Sequence, residues 1–184
     1  KEVHKLEYKM SFTNIKQMRA FHNDVKRSVI HSVCKSGTKM LDIGVGRGGD
    51  ILKWHNANIN VVIGLDIEPA YIDEAKRRFN ESMYTIKKRN YEFHLYSGRD
   101  IFNFLKQNKL PISYNVISCQ FAIHYFFKTQ ETLTSFLTNV SNVLDSGGYF
   151  IGSFMSGDRV MKFLESNNKN EIIHIQRQFD TPKQ

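Results

Sequence analysis

Cysteine is scarce: Cys34 and Cys119 are the two in 184 residues, and they do not form a metal-spaced pair. That argues against a disulfide framework and a thiolate zinc site, and it fits a reducing compartment. Long apolar runs are missing too, so no segment suits a bilayer span. There is no linker rich in Pro, Gly or Ser, no internal repeat and no low-complexity tract. No Lys-Ser or Lys-Thr pair follows the glycines at 44–49, which excludes a P-loop. Acidic residues are outnumbered, 18 against 26 Lys and Arg, for a net charge of +8. Such a balance points to an anionic partner, nucleic acid first, or equally to a solubility charge. Two basic clusters, Lys76 to Arg78 and Lys87 to Arg89, fit either reading.

What is present is an alternation of two hydrophobic patterns. "TKMLDIGVG", "INVVIGLDI", "YEFHLYSG", "YNVISCQ" and "GGYFIGSFM" read as strands. Between them "GGDILKWHNA", "EPAYIDEAKRRFNESM", "RDIFNFLKQN" and "QETLTSFLTNVSNVL" read as helices. The last of these carries Leu133, Phe136, Leu137, Val140 and Leu144 at helical spacing. "FAIHYFF" is expected as an aromatic loop beyond the fourth strand. A helix, "FTNIKQMRAFHNDVKRSVIHSVC", leads in; a helix, "GDRVMKFLES", and a strand, "EIIHIQRQF", follow. The pattern predicts an α/β fold of Rossmann-like type, a mostly parallel central sheet with helices on both faces.

In such a sheet the ligand lies beyond the carboxyl ends of the strands. Gly44, Gly46 and Gly49 satisfy the G-x-G-x-x-G spacing of dinucleotide folds, a weak signal alone. Asp66 closes the second strand, where a ribose-binding acid belongs. Asp42, just before the first glycine, would repel a pyrophosphate but suits a ligand bearing an ammonium or sulfonium group. S-adenosylmethionine carries both, together with an adenosine whose ribose can reach Asp66. The plainer reading of Asp42 is a carboxylate that orders the turn. Asp100, after the third strand, is expected either at the adenine amino group or as an N-cap of the following helix. Phe121 and Trp54 are expected in the core. Phe126 and Phe127 have two readings, core packing or flanking a purine.

"LDIGVGRGGDILKW", "CQFAIHYFF" and "GGYFIGSF" resemble the mRNA cap guanine-N7 methyltransferases, and "MRAFHNDVKRSVI" resembles the helix that leads into that domain. The wording is similar in particular to the methyltransferase part of capping enzymes of large cytoplasmic DNA viruses. The resemblance implies a class I methyltransferase fold with S-adenosylmethionine as methyl donor and S-adenosylhomocysteine as product. It implies that Lys26 meets the methionine carboxylate, Gly44 lies against the donor, Asp66 holds the ribose and Asp100 faces the adenine. Gln120 and Tyr125 would close over the methionine end. Asn23, Arg47, Lys53, Arg78 and His124 match cap-contacting positions, with the three cations on phosphates and His124 at the guanine. His22, Val45 and Arg47 depart from the family's usual Asn, Cys and Lys; Arg for Lys keeps the charge and changes the geometry. The resemblance also implies a single methyltransferase domain over 1–184 that ends before the family's last strand.

The implied substrate is the capped 5′ end of mRNA, with triphosphatase and guanylyltransferase domains on the same parent chain as further partners and no membrane. The implied location is the cytoplasm or virion for a viral protein and the nucleus for a cellular one. Guanine N7 already holds a lone pair in the ring plane, so an in-line displacement at the methyl needs no general base. His124 and Tyr125 are therefore expected to orient rather than to move a proton. Three other readings stand beside this one. They are a small-molecule methyltransferase, a methyltransferase-like domain that binds RNA or a partner without turnover, and an NAD-dependent oxidoreductase. Asp42 and the lack of a second mononucleotide half weigh against the last.

Overall fold

The computed structural model describes residues 12–82, 89–97 and 100–166. Two compact units divide the chain, Lys26–Phe154 on one side and Lys1–Val25 with Met155–Gln184 on the other. The first holds a five-stranded sheet of order β3-β2-β1-β4-β5, every pairing parallel. Its strands are β1 (Lys39–Ile43), β2 (Val61–Asp66), β3 (Asn90–Leu95), β4 (Tyr114–Gln120) and β5 (Leu144–Ser153). The helices are α1 (Phe12–Val33), α2 (Ile51–Asn56), α3 (Pro69–Ser82), α4 (Ile101–Gln107), α5 (Gln130–Val143) and α6 (Gly157–Ser166). The strand expected at "EIIHIQRQF" lies outside the described residues.

The near-continuous apolar strands are explained by burial on both sides. Met40, Val62 and Phe93 point to one face, against Ile30 of α1, Trp54 of α2 and Ile72 and Ala75 of α3. Their neighbours Leu41, Ile63 and Leu65 point to the other, against Ile101 and Leu105 of α4 and Phe136 and Val140 of α5. Trp54 is in the core, as expected, and each fully buried aliphatic side chain here stabilises the fold by about 1.5–3 kcal/mol. From β1 the chain builds outward to β2 and β3, then returns to add β4 and β5 on the other side. The strand order therefore reverses between β1 and β4, and a crevice opens there at the carboxyl edge.

Four local readings are corrected. α5 stops at Val143, and Leu144 begins β5 rather than ending the helix. Leu137 is exposed although its spacing matched the buried stripe. The loop expected at "FAIHYFF" is largely a short 3-10 helix, Ile123–Lys128. Phe121, expected in the core, is 37% exposed and held at φ +56° at the tip of β4.

Candidate active site

The carboxyl ends of β1, β2 and β4 bring Asp42, Gly44, Asp66 and Gln120 to one edge of the sheet. The β1–α2 loop is stitched to β2 by its own backbone: Gly44 and Val45 donate to the Leu65 carbonyl at 2.8 and 3.0 Å. Asp66 completes the seam. One carboxylate oxygen accepts from the Gly46 amide at 2.8 Å, the other from Glu68 at 3.0 Å. Each oxygen keeps a further lone pair for a ligand.

The packing glycine differs from the one that the spacing selects. Gly48, at φ +70°, lies where a Cβ would fall 3.1 Å from the Ala75 backbone of α3 and 2.7 Å from Ile51. Gly49 faces open space. The close approach of helix to loop therefore depends on Gly48, and the match at Gly49 is incidental to packing. Gly44, at φ +78°, touches the next loop: a Cβ there would lie 2.5 Å from Ala122.

Asp42 is 3% exposed, and its Oδ1 has no hydrogen-bond partner among the described residues. Burial, and then the nearby Asp50 carboxylate, push its pKa from the ordinary 3.8 up to about 7, making it a weaker acid. In register with it on β4 stands Ser118, whose buried hydroxyl also lacks a partner of good geometry. At the end of β4 Gln120 is pinned by Ser153, which donates to its Oε1 at 2.7 Å; the amide nitrogen is buried and unpartnered. An orphaned acceptor on β1 and an orphaned donor on β4 thus end adjacent strands. Such groups are costly in a dry site unless something binds them.

A second polar group was not foreseen. Asp50 stands at the N-cap position of α2, yet its side chain makes no capping bond. Its Oδ1 instead lies 2.7 Å from the Lys26 ammonium and 2.8 Å from that of Lys53. Lys53 also donates to the Gly49 carbonyl at 3.0 Å. Lys53 is buried in this pair rather than standing on an open surface, where a phosphate-facing cation was expected. The i, i+3 spacing of Asp50 and Lys53 was a readable signal. Lys26, on α1, was out of reach of any local rule.

Asp100, His124 and Tyr125 follow β3 and β4, whose carboxyl ends lie on the same edge of the parallel sheet. Asp100 caps α4, accepting from the Asn103 backbone, and its own N–H donates to the Tyr96 hydroxyl at 2.8 Å. The capping role is realised, and the exposed carboxylate stays accessible. His124 and Tyr125 are exposed neighbours on the 3-10 helix, their rings 4.2 Å apart. That helix is anchored to α5 through Thr132, whose hydroxyl donates to the Phe126 carbonyl at 2.9 Å, and through Phe126 itself, stacked on Phe136. Phe126 thus follows its core reading, whereas Phe127 is exposed. Arg47 lies over the Tyr71 ring at 4.9 Å. Arg78 is 2.7 Å from Glu74, a carboxylate it shares with Arg77; hydrogen bonds from Arg77 and then Arg78 hold Glu74 down at about 2. Asn23 lies on α1 within the other unit. No group of three or more metal-ligating side chains occurs among the described residues.

A parallel α/β sheet reversing at β1/β4, with an acid near the end of β1, a glycine loop and an acid closing β2, defines a Rossmann-like methyltransferase fold. A Clostridium acetobutylicum S-adenosylmethionine-dependent methyltransferase superposes with TM-score 0.57 at 17% identity, over 77% of this chain and 52% of that one. The chain belongs to the mRNA (guanine-N(7))-methyltransferase domain family, whose model matches residues 2–183. It is 30% identical to a probable mRNA-capping enzyme of Acanthamoeba polyphaga mimivirus, over 88% of this chain and 16% of that protein. It is 32% identical to the mRNA cap guanine-N(7) methyltransferase of Schizosaccharomyces pombe, over 85% of this chain and 44% of that protein. The chain therefore spans less than half the length of either relative.

Proposed function

We propose that this chain transfers the methyl group of S-adenosylmethionine to guanine N7 of the 5′ mRNA cap, turning GpppN-RNA into m7GpppN-RNA. Family membership sets the reaction class. The observation that carries the donor assignment is the buried carboxylate of Asp42, whose Oδ1 has no partner among the described residues, beside a glycine loop whose second acid is Asp66. A carboxylate there repels a pyrophosphate and suits an ammonium, so the donor set fits an amino-acid-bearing nucleoside. When bound, S-adenosylmethionine supplies an electrophilic methyl on a sulfonium.

The chain's own residues bind and orient. Asp42 offers its free oxygen to the amino group and Lys26 its cation to the carboxylate. Gly44 lets the backbone come close, Asp66 accepts from the ribose hydroxyls, and Asp100 accepts from the adenine amino group. Gln120 offers its unpartnered amide at the methionine end, next to Tyr125. His124 and Tyr125 hold the purine so that N7 lies in line with the methyl, and no residue removes a proton. Alignment of this kind lowers a bimolecular barrier by roughly 7–11 kcal/mol when the geometry is good. Arg47 and Arg78, with Asn23, complete the cap-contacting set, and Lys53, buried against Asp50, supports the donor end of the site.

A family match from residue 2 to residue 183 supports reading both units as one methyltransferase domain. The mimivirus relative is named a capping enzyme, which supports triphosphatase and guanylyltransferase domains on the same parent chain. The setting would be the cytoplasm or virion for a virus and the nucleus for a cell. No described helix is long and apolar enough to cross a membrane.

The test is methyl transfer from labelled S-adenosylmethionine to GpppG-RNA, followed by release and separation of the cap. Label in m7GpppG is the expected result. Label on the ribose, or none from a protein that binds S-adenosylhomocysteine, overturns the assignment.

A further inference from the structure

We propose that Asp50 is a positioning residue: its carboxylate gathers Lys26 and Lys53 into one buried cationic group that receives the carboxylate of the donor's amino acid. The inference rests on the reading of this edge as a site for S-adenosylmethionine and adds a residue that neither composition nor the glycine pattern indicated.

Three observations carry it. The first is where Asp50 spends its charge. An aspartate at an N-cap normally accepts from the backbone of the first turn. Asp50 makes no such bond and turns to two ammonium groups, at 2.7 and 2.8 Å. The second is the charge balance. Two ammonium groups share one oxygen of Asp50, with side chains 15%, 8% and 9% exposed for Lys26, Lys53 and Asp50. Cations this dry are stable when each has an anion beside it, and Asp42, the other carboxylate in electrostatic reach of Lys26, is held partly protonated by its raised pKa of about 7. The third is the distribution of donors. Lys53 is ion-paired with Asp50 and donates to the Gly49 carbonyl, which locks it to the glycine loop. Lys26, among the described residues, is held by its ion pair with Asp50 alone, so it keeps N–H donors for a ligand.

The arrangement divides the work. Lys53 is the brace, Asp50 the link and Lys26 the contact. Asp42 is close enough for the Lys26 charge to favour its ionised form, so carboxylate and cation stand near each other at the edge. A zwitterionic amino acid has that complementarity, with its ammonium for Asp42 and its carboxylate for Lys26. Without Asp50, Lys26 and Lys53 would repel each other, and Lys26 would lose the contact that holds its long side chain in place.

Calorimetry with two ligands separates this role from a merely structural one. S-adenosylhomocysteine carries the amino acid; 5′-methylthioadenosine keeps the adenosine and thioether and lacks it. Asp50→Asn and Asp50→Ser both remove the charge, and the serine variant can restore the helix cap so that a folded protein is obtained. Either should weaken S-adenosylhomocysteine by about tenfold or more, the range of a lost charge-assisted contact, with methylthioadenosine affinity unchanged. Lys26→Met should behave alike, and adding Asp50→Asn to it should cost nothing further for S-adenosylhomocysteine. Equal losses for the two ligands, an unchanged affinity for S-adenosylhomocysteine, or additive effects in the double variant would overturn the role of Asp50 and leave the site reading standing. A wild-type protein that binds neither ligand would overturn both.

Discussion

At Asp42 two forces oppose each other: burial disfavours the charge, and the position at the sheet edge is useful because of the charge. Its pKa, raised from 3.8 to about 7, means that the folded state holds the proton more tightly than the unfolded one. Stability present below the unfolded value is therefore lost as pH rises toward 7. After burial, the groups acting on it are Asp50 and Asp66, which raise its pKa, and the Ser118 hydroxyl and Lys26, which lower it. The unfolding temperature of the protein without ligand should fall between about pH 4 and pH 7, and Asp42→Asn should flatten that fall. A ligand ammonium should draw the proton off. S-adenosylhomocysteine binding near pH 6.5 should thus release a fraction of a proton, seen as a dependence of binding enthalpy on the buffer's ionisation enthalpy. Equal enthalpies in phosphate and Tris would contradict this. Phe121 is the other residue under tension, a bulky side chain at φ +56°. Left-handed backbone at such a residue costs about 1–3 kcal/mol and persists where the surroundings impose it. Its amide donates to the Ser153 carbonyl at 2.8 Å, so the turn after β4 is held by the neighbouring strand. Phe121→Gly should relieve that strain and leave the unfolding free energy in urea within about 1 kcal/mol of wild type, whereas Phe136→Ala, in the core, should cost about 3–5 kcal/mol.

Among the elements, the glycine loop separates what pattern can reveal from what only packing can. The strands and helices were readable because each alternates or repeats with its own period, and all five strands form near their expected positions. The acids at 42 and 66 were readable because strand ends are where such residues act. The identity of the packing glycine was not, since Gly48 and Gly49 are adjacent and the spacing rule selects the second. What distinguishes them is α3, which comes within 3.1 Å of a Cβ at Gly48 and leaves Gly49 open. Lys26 and Asp50 are far apart in the chain, and a buried ion pair between distant elements leaves no periodic trace. Phe121 misled because an apolar residue after a buried strand usually continues inward; here the strand ends and the backbone turns left-handed. The contrast between the glycines is measurable. Gly48→Ala, at φ +70° and against Ala75, should lower stability by about 2–3 kcal/mol in chemical denaturation and weaken S-adenosylhomocysteine binding. Gly49→Ala should stay within about 0.5 kcal/mol of wild type. The reverse order would mean that the loop is held by something other than its fit to α3.

Over the whole molecule the net charge of +8 is the feature that a capped RNA would meet first. A count of cations does not say which of them neutralise phosphate, because a paired, buried lysine releases no counterion when RNA arrives. For single-stranded RNA, each phosphate neutralised contributes about 0.7 to the slope of log affinity against log salt. Lys53 is 7% exposed and tied to Asp50, so its charge is already matched. Arg78 shares Glu74 with Arg77, and that carboxylate stays ionised at any working pH. Arg47 is exposed, and its described contact is the face of Tyr71, which leaves its guanidinium edge open to a phosphate. The three cations at the cap-matching positions therefore differ in what they can contribute. Titration of a short GpppG-capped RNA across a salt series should show Arg47→Gln reducing the slope by about 0.7, Arg78→Gln by less, and Lys53→Met leaving it unchanged. Lys53→Met should instead appear in the calorimetry of S-adenosylhomocysteine, through the loosened Asp50 pair. If Lys53→Met takes as much from the salt slope as Arg47→Gln does, Lys53 leaves Asp50 when RNA binds, and the buried pair is a resting arrangement rather than a brace.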